Sequence, residues 1–335
     1  MPFGGIRLAI AQRILVTGAS GFIGQHVVRT LAERGYSVRA ASRQPIVFDS
    51  PRVEGVAVGD MSRSFAAEFL VRGVDAVVHA AGLSHARADL PEAAYTAINV
   101  DATRQLARAA RAARVKRFVL MSSIRAQVGA THPGIVTEAT MAAPTDAYGR
   151  SKLAAEAILA KMLEDSGTHW TVLRPVLVYG GGVRGNMAAL MRLAALPVPL
   201  PFGSLHARRS LLSIGNLLSA IQYVLQTQTA ENTTFNVADL EPLTIADIIR
   251  ALRRGAGRPE MLLPVPEASL AAVLRLLGKP HFADRLTGDL VVDPVRLRRI
   301  GWAPPEATAA ALAASALLGP SPERSKPQRY RAARH

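Results

Sequence analysis

Cysteine is absent from this chain of 335 residues, and aromatic residues make up only 5% of it. Without cysteine the protein can form no disulfide bond and no thiolate metal site, which suits a reducing compartment. No apolar run reaches the roughly 20 residues that a membrane-spanning helix needs. The best candidate, residues 269–277, is interrupted by Arg275. We therefore expect a cytoplasmic protein with no membrane span and no metal site.

Acidic residues are scarce relative to basic ones. The chain has 40 lysine and arginine residues against 25 aspartate and glutamate residues, a formal net charge of +15. A basic surface can attract nucleic acid, anionic membranes or anionic small molecules. Much of the charge is arginine spread along predicted helices, so we interpret it as a solvated surface and expect no nucleic acid partner. The charge is compatible with a substrate that carries a pyrophosphate.

Apolar side chains are abundant, at 49% of the chain, which is enough for one large or two modest domains. Residues 1–12 contain one arginine and a short apolar patch, so we interpret them as an extension rather than a signal peptide. Residues 321–335 are polar and basic, and we expect them to be disordered.

Residues 14–24 have the order apolar run, glycine turn and amphipathic helix. The first glycine allows a tight turn, the second a close approach to a pyrophosphate, and the third close packing of helix on strand. The pattern predicts a dinucleotide bound at the helix N-terminus. Its expected contacts are Gly18, Ser20, Gly21, Phe22, Ile23 and Gly24. The alternative is an ordinary strand-to-helix turn that uses glycine for its geometry alone.

Strands and helices alternate along the rest of the chain. Helices are predicted at residues 62–71, 95–113, 145–164 and 244–254, and a short strand at 208–213. The alternation predicts a doubly wound parallel sheet, the Rossmann fold, over residues 13–175, with residues around 205–240 returning to it. Residues 176–320 would then mainly form a smaller α/β substrate domain.

In such sheets ligands bind beyond the carboxyl ends of the strands. Candidate cofactor contacts at these ends are Asp60, Met61, Ala80, Ala81, Gly82, Ser122, Arg174, Pro175 and Val176. Asp60 could accept a hydrogen bond from an adenine amino group, or it could cap the helix predicted at residues 62–71.

The end of the second predicted strand lacks the acid that holds a ribose 2′-hydroxyl in many dinucleotide folds. The segment reads Ser42-Arg43-Gln44. A guanidinium matches phosphate geometry, so Arg43 is a candidate clamp for a 2′-phosphate, which favours NADP over NAD. The alternative is an exposed arginine after a strand.

Tyr148 and Lys152 are four residues apart, so a helix places them on one face. A nearby ammonium stabilises a phenolate and lowers the tyrosine pKa from about 10, which would make Tyr148 a general acid or base near neutral pH. Ser122 or Ser123, of which we favour Ser123, would hold the substrate oxygen while a nicotinamide exchanges hydride. The alternative is a pair of surface residues.

Together these motifs resemble the extended short-chain dehydrogenase/reductases, in the branch of nucleotide-sugar epimerases, dehydratases and 4-keto reductases. The resemblance covers about residues 13–302. It is carried by Thr17-Gly18-x-x-Gly21-x-x-Gly24, Asp60, His79-Ala80-Ala81-Gly82, Asn99, Ser122-Ser123, Tyr148-x-x-x-Lys152, Leu173-Arg174-Pro175 and Arg209-Ser210.

The resemblance implies that Tyr148 is the acid/base, that Lys152 also holds the nicotinamide ribose, and that Ser123 orients the reacting hydroxyl. It adds Asn99 to the cofactor contacts. The implied substrate contacts are Ser84, Ser123, Ile124, Asn186 and Arg209, the last two touching a nucleotide diphosphate. It also implies a homodimer joined through a four-helix bundle of residues 95–113 and 148–164.

The chain departs from the family at two places. Val128-Gly129 stands where Tyr-Gly is usual, and Arg43 follows the second strand where an acid is usual. An epimerase retains NAD, whereas a net reductase draws NADPH from solution, so Arg43 favours a reductase. The Ser-Ser-Ile-Arg segment resembles a branch with Ser-Ser-Ile-Lys, associated with 4-keto or amino-sugar nucleotides.

We therefore predict an NAD(P)-dependent epimerase or 4-keto reductase that acts on a nucleoside-diphosphate sugar. Two alternatives stay open at this point. One is an NADPH-dependent reductase of a non-sugar ketone or aldehyde. The other is a non-catalytic NADP-sensing protein on the same fold.

Overall fold

A computed structural model describes residues 13–84, 90–276, 278 and 280–320. The predicted extension at residues 1–12 and the predicted disorder at residues 321–335 lie outside the described residues. The strands are β1 (Arg13–Thr17), β2 (Ser37–Ser42), β3 (Val53–Ala57), β4 (Ala76–His79), β5 (Arg117–Met121), β6 (Ile135–Val136), β7 (His169–Pro175), β8 (Leu177–Tyr179), β9 (Arg208–Arg209), β10 (Leu211–Ser213), β11 (Thr233–Val237), β12 (Leu243–Thr244) and β13 (Val291–Val292).

The α-helices are α1 (Phe22–Glu33), α2 (Ala67–Val71), α3 (Glu92–Tyr95), α4 (Ala102–Ala112), α5 (Ala147–Leu163), α6 (Asn186–Ala194), α7 (Ile214–Gln226), α8 (Ile245–Gly255), α9 (Glu267–Leu276), α10 (Pro280–Thr287), α11 (Val295–Arg299) and α12 (Thr308–Leu318). A π-helix, Thr96–Asp101, joins α3 to α4, and 3₁₀-helices lie at Ile124–Ala126 and Gln228–Ala230. In the described part of the chain, no helix combines the length and apolar character needed to cross a bilayer.

Seven strands form one parallel sheet in the order β11-β7-β5-β4-β1-β2-β3. From β1 the chain adds strands first in one direction, to β3, and then in the other, through β4 to β11. The predicted doubly wound parallel sheet is confirmed. In this topology the strand order reverses between β1 and β4, and the crevice beyond their carboxyl ends is the expected ligand site.

Both faces of the sheet are covered along its inner strands, which explains why β1, β4 and β5 are mainly apolar on both sides, whereas the edge strand β3 is largely exposed. Alternate residues of β1 point to opposite faces. Ile14 and Val16 pack with residues of α1 and α7, and Leu15 packs with residues of α4 and α5. Helix α5 is thereby fixed against the sheet.

A third apolar cluster lies in the later part of the chain. It includes Met187 of α6, Leu252 of α8 and Leu312 of α12. Outside the main sheet, three two-stranded pairings join β8 with β10, β9 with β12 and β6 with β13. The chain also returns to the main sheet, where β11 pairs with β7 at the edge.

Three elements differ from the sequence prediction. The helix predicted at residues 62–71 begins only at Ala67, so Asp60 is not its cap. The helix predicted at residues 95–113 contains the π-helical turn. The strand predicted at 208–213 breaks at Ser210, because β9 pairs with β12 whereas β10 pairs with β8. The Ser210 hydroxyl accepts a hydrogen bond from the Val292 amide (2.9 Å) at this break.

Candidate active site

The turn between β1 and α1 depends on glycine at close contacts. Gly18 has a φ of +69°, and a Cβ there would lie 2.7 Å from the Ala81 nitrogen. A Cβ on Gly24 would lie 2.1 Å from the Gly18 oxygen. Gly21 is the N-cap of α1, which begins at Phe22, and as a glycine it has no side chain to cap the helix. Ser20 and Ile23 flank this start, so the helix N-terminus offers backbone amides to an anion.

The segment after β4 passes beside α5, the helix that holds Tyr148 and Lys152. A Cβ on Gly82 would lie 2.8 Å from Asn99 Oδ1 and 3.1 Å from Lys152 Nζ. His79, the last residue of β4, is fully buried, and Thr17 and Thr103 hydroxyls lie 2.6 and 3.1 Å from its ring nitrogens. Burial lowers the pKa of His79 to about 3, so it is neutral and packs as a structural residue.

Asn99 joins the segment after β4 to helix α5. It lies in the π-helix, a widened turn that often occurs at functional sites. Its Oδ1 accepts the Leu83 amide (2.9 Å), and its Nδ2 donates to the Ser151 hydroxyl (2.9 Å). The side chain predicted to contact cofactor is thus engaged with the protein and fixes Gly82 beside Lys152.

Helix α5 holds Tyr148 in its first turn and Lys152 in its second. Its N-cap is Asp146, whose Oδ1 accepts the Gly149 amide (2.7 Å). Tyr148 is partly buried, with its ring centroid 6.2 Å from that of buried Tyr95. Lys152 is 6% exposed, and its Nζ donates to the Met121 carbonyl at the end of β5 (2.9 Å).

The pKa of Tyr148 shifts in the direction opposite to the sequence prediction. Burial raises the pKa of Tyr148 to about 12, although a hydrogen bond from Ser123 opposes the shift. Burial also lowers the pKa of Lys152 to about 8, against the charge of Glu156. The prediction of a lowered tyrosine pKa is therefore wrong for the chain alone, since burial dominates and Lys152 is directed at Met121. Tyr148 is a protonated phenol at neutral pH, poised as an acid.

The two serines after β5 have different partners. Ser122 donates a hydrogen bond to Glu156, which forms an ion pair with Arg174 (2.5 Å between Oε2 and Nη2). All three side chains are buried. The Ser123 hydroxyl bonds Tyr148 and accepts the Arg125 amide (3.2 Å). Ser123 is thus the serine beside the tyrosine, whereas the predicted cofactor contacts Ser122 and Arg174 have their polar groups committed to Glu156.

The remaining strand ends bring the predicted cofactor contacts to the same edge. Ala80 and Ala81 follow β4, Pro175 ends β7 and buried Val176 follows it. Arg43 is exposed just past β2.

Burial would raise the pKa of Asp60, but hydrogen bonds from Ser62 and the charges of Arg43 and Arg63 lower it instead.

Arg39 of β2 and Met61, which follows β3, are packed inside the protein. Arg39 is buried and donates to Glu54 (3.0 Å) and to three backbone carbonyls. Met61 is also buried. Arg43 and Arg63, whose charges both act on Asp60, are exposed here, and Arg43 is the one that directly follows β2.

The predicted substrate contacts are in different environments. The Ser84 carbonyl accepts the Tyr95 hydroxyl (3.5 Å), and Asn186 is exposed at the start of α6. Ile124 is 3% exposed in the core, so only its backbone remains to meet a ligand. Arg209 donates to the Ala130 carbonyl (2.7 Å) and to that of Arg285.

Two further arginines belong to this region and were not singled out from the sequence. Burial lowers the pKa of Arg209 to about 10, and the charges of Arg285 and Arg125 lower it too. Arg125 lies in the Ser-Ser-Ile-Arg segment, which was a usable signal. Arg285 comes from α10, and no local pattern marked it.

Comparison with known proteins identifies the family of this chain. The NAD dependent epimerase/dehydratase family model matches residues 14–238, more than half of the chain. The chain is 36% identical over 303 residues to a UDP-glucose 4-epimerase of Vibrio cholerae, covering 88% of this chain and 92% of that protein.

Solved structures share the fold. The structure of MoeE5 in complex with UDP-glucose and NAD has a TM-score of 0.71 at 22% identity, covering 91% of this chain and 98% of that one. The human epimerase family protein SDR39U1 (isoform 2) with NADPH also has a TM-score of 0.71, at 23% identity, covering 91% and 99%.

The chain belongs to the NAD dependent epimerase/dehydratase family, within the extended short-chain dehydrogenase/reductases. This confirms the family predicted from the motifs. The protein is accordingly an NAD(P)-dependent enzyme of the epimerase type within the short-chain dehydrogenase/reductases.

Proposed function

We propose that this enzyme acts on a nucleoside-diphosphate sugar, as an epimerase or a 4-keto reductase, with Tyr148 as the acid/base. The observation that carries the proposal is the convergence of Ser123, Tyr148 and Lys152 at the strand edge beside Gly82. The relative from Vibrio cholerae and the UDP-glucose complex of MoeE5 support the substrate class.

Gly18 and Gly24 let β1, the turn and α1 pack closely, because a Cβ at either position would overlap the protein backbone. The backbone amides at the N-terminus of α1 could then receive the pyrophosphate of a dinucleotide. A bound nicotinamide would supply or accept the hydride. Lys152 would hold the nicotinamide ribose, close to Gly82. Binding there would require its ammonium to leave the Met121 carbonyl or to share it with the ribose.

On the substrate side, Ser123 would orient the reacting oxygen and Tyr148 would exchange a proton with it. In the reductive direction the protonated Tyr148 would donate its proton to the oxygen of the ketone that is reduced. In the oxidative direction the Tyr148 phenolate left by that transfer would accept the proton of the substrate hydroxyl. Arg209 and Asn186 would hold the diphosphate, since a guanidinium pairs with phosphate oxygens.

Arg43 distinguishes between the two reactions. As an exposed cation at the end of β2, where an acid would bind a ribose 2′-hydroxyl, it suits a 2′-phosphate. We therefore propose NADPH as the preferred cofactor and a net 4-keto reduction as the favoured reaction.

Substitution of Arg43 tests the cofactor assignment. A hydrogen bond to a charged group contributes about 1.5–3 kcal/mol, so Arg43→Ser should weaken NADPH binding about tenfold or more and leave NADH binding within about twofold. Fluorescence titration measures both. Arg52→Ser, which removes another exposed arginine, is the control. Equal loss of both cofactors, or no loss, would contradict the 2′-phosphate contact.

The cofactor that the purified protein carries tests the reaction type. The protein is denatured, any released nicotinamide is identified by mass, and the emptied protein is titrated with NADH and NADPH. An empty site that prefers NADPH supports a reductase. Tightly retained NAD supports an epimerase and makes Arg43 a surface residue.

A further inference from the structure

Arg125 contacts both the serine loop after β5 and the first turn of α5, the helix that holds Tyr148. It follows Ser123 in the 3₁₀-helix Ile124–Ala126, and its amide donates to the Ser123 hydroxyl (3.2 Å). Its carbonyl oxygen would lie 2.2 Å from a Cβ on Gly149, so the backbone touches the first turn of α5. Its Nη2 pairs with Asp146 Oδ2 (2.6 Å), at the N-cap of that helix. Arg125 therefore joins the serine loop to the helix that holds Tyr148.

The two ends of the Arg125 guanidinium have different surroundings. Nη1 is buried and has no hydrogen-bond partner among the described residues, and the side chain as a whole is 14% exposed. A buried donor of a charged group is costly when it is left unpaired, so native proteins rarely keep one without a use. An oxygen from a ligand would satisfy it.

Arg125 is also one of three arginines that lie close enough to act on one another. Arg209 donates to the backbone carbonyl of Arg285, and burial and the charge of Arg125 lower the pKa of Arg285. The carboxylates that oppose them are Asp289 and Asp146. Both also accept backbone amides, from Arg208 and Gly149. Three partly buried guanidinium groups thus lie beside two carboxylates that also accept backbone amides. The positive charge that remains favours the binding of an anion.

We propose that Arg125 binds an anionic oxygen of the substrate through Nη1, beside Arg209 and Arg285, while Nη2 holds Asp146. The inference rests on the proposed nucleoside-diphosphate sugar and assigns a residue that contacts it. The anionic oxygen belongs either to the diphosphate or to a carboxylate on the sugar. In either case, the anion would fix Arg125, which holds Asp146 at the N-cap of α5, and so would help to fix the helix turn that contains Tyr148.

The test compares Arg125→Met and Arg125→Lys with the wild-type protein. The control is Arg254→Met, which removes an exposed arginine of α8 that pairs with Glu260. Calorimetry measures the binding of UDP, UDP-glucose, UDP-glucuronic acid and inorganic pyrophosphate at low and high salt. Titration with NADPH reports the cofactor site of each variant.

We expect Arg125→Met to weaken the binding of UDP and both UDP-sugars, or of UDP-glucuronic acid alone, at least tenfold. The salt dependence of the weakened binding should fall, and NADPH binding should stay within twofold. Arg125→Lys should recover part of the affinity. Equal losses for UDP and both UDP-sugars assign the contact to the diphosphate. A loss confined to UDP-glucuronic acid assigns it to a carboxylate.

Wild-type affinities in Arg125→Met, or a parallel loss of NADPH binding, would overturn the inference and leave Arg125 a structural residue. The proposed function fails separately. A wild-type protein that binds pyrophosphate through Arg125 but no nucleotide sugar would contradict the substrate class and keep the anion contact. A wild-type protein that binds none of these anions would contradict both.

Discussion

At the scale of single residues, the buried carboxylate of Glu156 affects the pKa of Lys152 and bonds two further side chains. Tyr148, Lys152 and Glu156 are spaced by four residues on α5, so they share one face of the helix. The negative charge of Glu156 raises the pKa of Lys152 and opposes the larger effect of burial. Glu156 also accepts the Ser122 hydroxyl and pairs with Arg174. We expect Glu156 to be a positioning residue that acts through Lys152.

Replacing Glu156 with glutamine should move the activity profile along the pH axis. Without the carboxylate the pKa of Lys152 falls below about 8, so the ammonium is lost at lower pH. The alkaline limb of kcat/KM should shift towards neutral pH. Breaking a buried ion pair should also cost about 3–5 kcal/mol of stability.

Rate profiles and melting curves separate these effects for Glu156→Gln. Arg174→Met, which breaks the same ion pair but keeps the carboxylate, is the matched variant. It should lose stability without the shift to lower pH. An unchanged alkaline limb in Glu156→Gln would contradict the role of Glu156.

At the scale of elements, the β1–α1 turn should tolerate no side chain at the helix contact. A Cβ on Gly24 would lie 2.1 Å from the Gly18 carbonyl. Gly24→Ala should therefore displace α1 from the turn, cost at least about 1–3 kcal/mol as overpacking does, and weaken NADPH binding more than tenfold. Calorimetry and melting curves test this. Gly167→Ala, at a position where a Cβ meets nothing within 4 Å, should change neither.

The same elements show how far sequence reasoning reaches. The glycine turn and the Tyr148–Lys152 spacing are local patterns, and the structure has a strand-turn-helix and one helix face where they predicted them. The arginine cluster was not predictable in this way. Its members at positions 125, 209 and 285 come together only through tertiary packing.

Burial and hydrogen-bond partners were equally hidden in the sequence. Tyr148 and Lys152 were expected to interact through charge, but the pKa of each is set mainly by its surroundings in the fold. The commitment of Ser122 to Glu156 depends on a residue 34 positions away. Spacing within a motif cannot report such partners.

At the scale of the whole molecule, the predicted homodimer would bury the outer face of α4 and α5. Small or apolar residues stand on the outward side of α5, where Ala154 and Ala157 are exposed and Leu153 and Ile158 are partly exposed. This face suits close packing of helices, which supports the proposed four-helix bundle.

Ala157→Glu should convert the proposed dimer into a monomer, because an unpaired charge is costly in a desolvated helix interface. Sedimentation velocity measures the change. Ala272→Glu, at an exposed alanine of α9, is the control and should leave the dimer intact. A wild-type monomer, or a dimer that persists in Ala157→Glu, would contradict the bundle.

We propose that Tyr148 exchanges a proton with the sugar of a nucleoside-diphosphate sugar while a bound nicotinamide would supply or accept hydride. The most direct measurement is turnover of a nucleoside-diphosphate 4-ketosugar with NADPH, followed by cofactor absorbance and product analysis. We predict that Tyr148→Phe lowers turnover at least about 100-fold, with NADPH binding within twofold. Tyr223→Phe, which removes a hydroxyl that bonds the Ile300 carbonyl, should keep turnover. Wild-type turnover in Tyr148→Phe would contradict the account.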